Sequence, residues 1–104
     1  MSGAALIWCP FPDEESAAAT ASALLDEGLI ACANLLPGMR SLFLWRGESG
    51  EAREVGVLLK SRTDKLDTAL ARLAQLHPYD TPAAVGWNCD GAASATLDWL
   101  AELT

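Results

Sequence analysis

Residues 29–45 read LIACANLLPGMRSLFLW, two apolar runs on either side of Pro37-Gly38. Each run is short enough for a strand and too short for a helix of ordinary length. Proline cannot donate to a β ladder and glycine tolerates positive φ, so the pair marks a kink or bulge inside a strand. The segment 29–46 is therefore one long strand broken at Pro37-Gly38. The polar stretch 47–53, with Gly50, predicts a hairpin loop. Residues 54–61 alternate, with Val55, Val57 and Leu59 facing one way, and predict the partner strand.

The same alternation of elements lies on both sides of this hairpin. Upstream, the apolar run 4–11 ends at Pro10-Phe11-Pro12 and predicts a buried strand. Asp13-Glu14-Glu15 supplies an N-cap and first-turn acids, and Ala17, Ala21, Leu24 and Leu25 recur at helical spacing over 16–27, with Gly28 as C-cap glycine. Downstream, Leu66, Ala69, Leu70, Leu73 and Leu76 place an amphipathic helix over 64–77, ended by Pro78. Val85, Trp87 and Cys89 alternate in a fourth strand over 83–89, and Leu97, Trp99, Leu100 and Leu103 lie on a last helix over 94–103. The fold class is α+β: a ferredoxin-like βαββαβ antiparallel sheet with an added C-terminal helix, in one domain over 1–104.

Both helices of such a fold cover one face of the sheet. The long second strand carries Cys32, Leu36, Leu42, Leu44 and Trp45 beyond what one helix layer needs. A bare apolar face and a long unpaired hairpin edge predict self-association. Its outer half, including Trp45, is expected to pair with a neighbouring subunit. Four tryptophans in 104 residues fit such an interface.

Charge and cysteines narrow the function. A net charge of −7 repels phosphates, so nucleic acid is not expected as a partner. All seven bases fall within 39–72, against five acids, while both ends carry acids alone. The run Ala4–Trp8 is too short for a membrane helix and no basic region precedes it, so no membrane partner is expected. Three cysteines without close spacing predict a reduced, cytoplasmic chain. No phosphate-binding loop, dinucleotide fingerprint, C-x-x-C or H-E-x-x-H occurs, and no local signature supports a cysteine nucleophile, so an enzyme is not expected. Cys9, Cys32 and His77 suit a soft cation such as Cu(I), but the residues alone favour each cysteine as a small buried hydrophobe, and His77 reads at least as well as a helix C-terminal residue satisfying carbonyls. Cys89 reads as structural.

Four motifs, in order along the chain, resemble the CutA family of divalent-cation-tolerance proteins. They are Ala31-Cys32-Ala33-Asn34-Leu35-Leu36-Pro37-Gly38; Trp45-x-Gly47 with Glu54-Val55 and Lys60; His77-Pro78-Tyr79-Asp80-Thr81-Pro82; and Leu97-Asp98-Trp99-Leu100. The resemblance implies a homotrimer whose hairpins pair between subunits, and a role in tolerance of copper and other divalent cations. It implies metal binding, with copper or another divalent cation as the ion, at Cys9, Cys32 and the segment around His77. Leu76, Ala83 and Thr96 depart from the family pattern, the first two removing a candidate nitrogen and a candidate carboxylate. The implied trimer is also similar to the PII signalling proteins, which bind small-molecule effectors in clefts between subunits. A PII-like signalling or scaffold module, binding an effector or a partner protein there, is thus the alternative function.

Overall fold

The strand that opens the chain, β1 (Ala4–Phe11), alternates between two environments. Ile7, Cys9 and Phe11 are at most 1% exposed, whereas Leu6, Trp8 and Pro10 between them are partly exposed. The structure, a computed structural model, describes residues 2–103. After β1 come α1 (Glu14–Asp26), β2 (Cys32–Trp45), β3 (Glu48–Arg62), a 3-10 turn (Thr63–Lys65), α2 (Leu66–Leu76), β4 (Val85–Asn88) and α3 (Ser94–Leu100). The four strands form one sheet in the order β2-β3-β1-β4, antiparallel throughout. This is the ferredoxin-like arrangement. Among the described residues no helix is long and apolar enough to cross a membrane.

Asp13 caps α1 as expected, its Oδ1 accepting the Ser16 N–H at 2.8 Å. That backbone hydrogen bond holds the Asp13 carboxyl below its ordinary pKa. The core lies between the helices and one face of the sheet. Ile7, Cys9, Phe11, Val57 and Leu59 meet Ala17 and Leu24 of α1 and Leu66, Ala69 and Leu73 of α2. Buried Ser61 is satisfied by donating to the Leu29 carbonyl at 2.7 Å. Arg62 grips Asp64 through two nitrogens and donates to the Leu103 carbonyl at 2.7 Å, tying the end of β3 to the chain after α3.

The opposite face of the sheet is open. Cross-strand partners share a face, so one row runs Cys32, Lys60, Leu6, Trp87 and the next Asn34, Leu58, Trp8, Val85. Val85 and Trp87 are 57% and 44% exposed. The expected bulge sits between Leu36 and Met39, with Gly38 at φ 76°. The extra residue keeps Met39, Ser41, Phe43 and Trp45 on the face begun by Cys32, Asn34 and Leu36.

Several element bounds differ from the sequence reading. The expected loop over 47–53 is strand. Only Arg46-Gly47 turns, both at positive φ (50° and 82°), a two-residue connection of the type that matches strand twist. β3 therefore starts at Glu48 and pairs to the tip, and β2 and β3 project past the end of β1 as an arm (residues 39–54). Residues 47–53 carry no large apolar side chain because both sides of the arm are away from the core. The other differences are shorter: β2 begins at Cys32 rather than at 29, β4 is trimmed at both ends, α3 stops at Leu100 rather than 103, and Asp64 and Lys65 belong to a 3-10 turn before α2.

Candidate functional site

Cys9 lies on the helix-covered face of β1, fully buried, with Sγ 3.5 Å from the Pro10 carbonyl oxygen. Burial, helped by the charge of Glu54, pushes its thiol up to about 12. A thiol so placed stays protonated at neutral pH and is a poor soft ligand. His77 follows α2 directly, turned extended by the proline after it (φ −68°, ψ 141°), while its own N–H still donates to the Leu73 carbonyl. His77 is 7% exposed, and its ring packs between Phe11 and Tyr79, with centroids 4.1 and 4.9 Å away. Nε2 lies 2.8 Å from the Pro10 carbonyl oxygen. A carbonyl only accepts, so Nε2 carries the proton. Nδ1 then accepts the Tyr79 N–H at 3.1 Å. Both ring nitrogens are engaged, and a metal ligand at His77 has to displace the Tyr79 backbone.

Cys32 occupies the other face. It stands opposite Lys60, with Sγ 3.6 Å from Asn34 Oδ1 and 3.9 Å from Lys60 Nζ, and Lys60 donates to Asn34 Oδ1 at 2.9 Å. β3 separates β1 from β2, and the faces are opposite, so the fold does not bring Cys32 to Cys9 or His77. Cys89, just past β4, donates its N–H to the Ala4 carbonyl and accepts from Ser2. Among the described residues no group of three or more His, Cys, Asp or Glu side chains is placed to hold a metal ion. The residues expected as ligands thus do not fit one shared centre within a protomer.

What the fold does assemble is a cleft of about 940 Å³ between the arm and the loop over 78–83. Pro10 lies at its base, Phe43, Trp45 and Glu54 come from the arm, and Tyr79 and Asp80 come from the loop. The Tyr79 hydroxyl donates to Glu54 Oε2 at 2.7 Å and joins the two walls. His77 positions this tyrosine from behind by accepting its N–H. Burial first, then the hydrogen bond to Glu54 and its charge, push the Tyr79 hydroxyl up to about 12. Glu54 and Tyr79 both stood within motifs of the sequence, yet nothing in their spacing showed that they touch.

The model of the CutA1 divalent ion tolerance protein family matches residues 5–103. The chain belongs to this family. It is 42% identical over 97 residues to the divalent-cation tolerance protein CutA of Pectobacterium atrosepticum, covering 93% of this chain and 88% of that one. The CutA of Pyrococcus horikoshii is 41% identical over 99 residues, covering 95% and 96%. Among solved structures, CutA from Xylella fastidiosa superimposes with a TM-score of 0.92 at 31% identity, over 98% of this chain and 99% of that one.

Within this CutA-family chain, one departure noted in the sequence has a structural counterpart. Leu76, which removes a candidate nitrogen ligand, is partly buried and packs against the core. It gains burial in place of a ligand.

Proposed function

We propose that this CutA-family chain acts in tolerance of divalent cations as a cytoplasmic homotrimer, by binding copper or a similar cation rather than by catalysis. The observation that carries the metal reading is the placement of Cys32. Of the three expected ligands, it alone has its sulfur on the open sheet face, partly exposed and beside a second donor, Asn34 Oδ1. Cys9 is sealed in the core and His77 is committed to two backbone groups. One thiolate and one amide oxygen do not complete a coordination shell, so neighbouring copies or water supply the rest. A cation at Cys32 also meets the Lys60 ammonium, which makes binding weak. The trimer is supported by the exposed arm, where Leu42 and Leu44 are each 71% exposed. The cytoplasmic reading is supported by three free cysteines.

Titration of the reduced protein with Cu(I) against a chromophoric chelator tests the metal reading. Cys32→Ser is expected to abolish competition with the chelator, and Cys9→Ser to leave it unchanged. Binding that survives Cys32→Ser overturns the assignment. Light scattering after size exclusion is expected to give three times the chain mass.

A further inference from the structure

The buried ring of His77 is a polar group that the proposed cation site at Cys32 does not use. It packs on Phe11, on the helix-covered side of the sheet, whereas Cys32 lies on the other side. Its contacts with the Pro10 carbonyl and the Tyr79 N–H are made within one chain, and neither needs an exposed surface or a free arm. Two hydrogen bonds made by Tyr79 fasten the loop over 78–83. Its N–H donates inward to His77 Nδ1 at 3.1 Å, and its hydroxyl donates outward to Glu54 Oε2 at 2.7 Å. The imidazole is thus the inner anchor of a strap whose outer end reaches β3.

That anchor exists in one protonation state. Nδ1 accepts from Tyr79 because it carries no proton, and a second proton on the ring can go only there, since Nε2 already holds the other. Nδ1–H and the Tyr79 N–H would then be two donors facing each other. The ring does not turn away to relieve this. A charged Nε2–H binds the Pro10 carbonyl more strongly than a neutral one, and Phe11 and Tyr79 flank the ring. The backbone of Tyr79 is the part that moves.

We propose that His77 is a pH-sensitive latch: a proton taken up at Nδ1 expels the Tyr79 N–H and frees the loop over 78–83 from its inner anchor. Histidine is the side chain whose charge ordinarily changes between about pH 5 and 8. Cys9 of β1 shares the Pro10 carbonyl, and its thiol and the Tyr79 hydroxyl, both pushed up to about 12, stay neutral in that range. The charged residues of α2 are Asp67, in its first turn, and Arg72, which pairs with Glu27. Asp13 ahead of α1 is held below the ordinary carboxyl range and stays charged. Glu54 of β3 and Asp80 of the loop add two acids. Glu54 needs its own control, because it receives the other end of Tyr79.

Amide hydrogen exchange on the full chain in its native assembly tests the latch, with each amide's protection taken relative to its intrinsic rate. From about pH 7.5 to about 5.5 the Tyr79 amide is expected to lose about tenfold in protection. The Ala31 amide, bonded to the Lys60 carbonyl farther along β3, is expected to keep its own. His77→Asn offers an amide oxygen in place of Nδ1 and does not titrate, so Tyr79 protection should hold at both pH values. His77→Phe offers no acceptor and should leave it low at both. Glu54→Gln, which keeps an acceptor for the Tyr79 hydroxyl, should retain the pH response. The proposal is overturned if Tyr79 protection is equal at both pH values, falls in step with that of Ala31, still falls in His77→Asn, or no longer falls in Glu54→Gln. Should the His77 variants fail to fold, nitrogen NMR of the wild-type imidazole decides. Nδ1 must gain its proton with the same midpoint as the loss of Tyr79 protection, and a ring that stays neutral throughout overturns the latch.

Discussion

The β2–β3 ladder crosses two environments. Near its base, Val57 and Leu59 are 1% exposed beneath two helices. On the arm, the same ladder carries Leu42 and Leu44 at 71%, Trp45 at 50% and Phe43 at 47%. Backbone pairing is continuous through both, apart from the bulge. The base is held by burial, and the arm by its hydrogen bonds, its turn and pairs such as Arg40 with Glu51. An apolar strand without a core to enter is a surface made for contact. Substitutions at the base are therefore expected to act on folding, and substitutions on the arm on association.

The largest effect is expected at the base. Leu73 is fully buried between α2 and the sheet, and Leu73→Ala should cost about 2–5 kcal/mol in denaturant unfolding. A loss under 1 kcal/mol would erase the contrast between the two regions. A second effect appears in alkali. The Cys9 thiol rises from 9.0 to about 12 on folding, so the unfolded chain loses this proton first as pH increases. Its contribution is intact below pH 9 and disappears between about 9 and 12, with an upper limit on the order of 4 kcal/mol at about 1.36 kcal/mol per unit. Cys9→Ala should flatten the stability profile across that window, leaving a smaller slope above pH 10 from Tyr79, which rises from 10.0 to about 12. An unchanged profile in Cys9→Ala would show that the thiol is not sealed.

At the junction of the two regions, Gly38 adopts φ 76° with nothing within 4 Å of where a Cβ would stand. Gly38→Ala therefore meets only torsional strain, about 1–2 kcal/mol, and Gly38→Asn should recover part of it. A cost well above that range would indicate packing around the bulge that one protomer does not have. The smallest effect on folding belongs to the arm itself. Leu42→Ser with Leu44→Ser should alter protomer stability by less than about 0.5 kcal/mol, while on the proposed homotrimer light scattering is expected to show the mass falling from three chains to one. A double variant that stays trimeric would move the interface off this face of the arm.

How much of this was legible depended on whether a residue's environment is local. Asp13 as a cap and Pro37-Gly38 as a bulge are local facts, and both appear where the sequence put them. The second half of the hairpin was not legible from alternation, because residues 48–53 have no buried side to alternate with. The useful signals were Gly47, which fits a two-residue turn, and Gly50 opposite Phe43. An added Cβ at Gly50 would stand 2.3 Å from the Phe43 ring, so the glycine is there to receive it. The candidate ligands failed to converge for a different reason. Face parity put Cys9 with Ile7 and Phe11, inside, but the face of Cys32 follows from its pairing with Lys60 across the chain. The acceptor and the donor that engage the His77 ring, the Pro10 carbonyl and the Tyr79 N–H, depend on where α2 docks, and no spacing encodes that.

The sheet order has a consequence for how the chain assembles during synthesis. β1 leaves the ribosome first, yet it lies between β3 and β4, pairing Ala5 with both Ser61 and Asn88. The β2–β3 hairpin, closed by two residues, can zip as soon as it emerges, while β1 waits for partners made later. Until then the edge of β3 that β1 will occupy is open to the first strand of any nascent neighbour. Exchange of β1 between copies, giving a swapped assembly with every native contact in place, is the characteristic misfolding hazard of this topology.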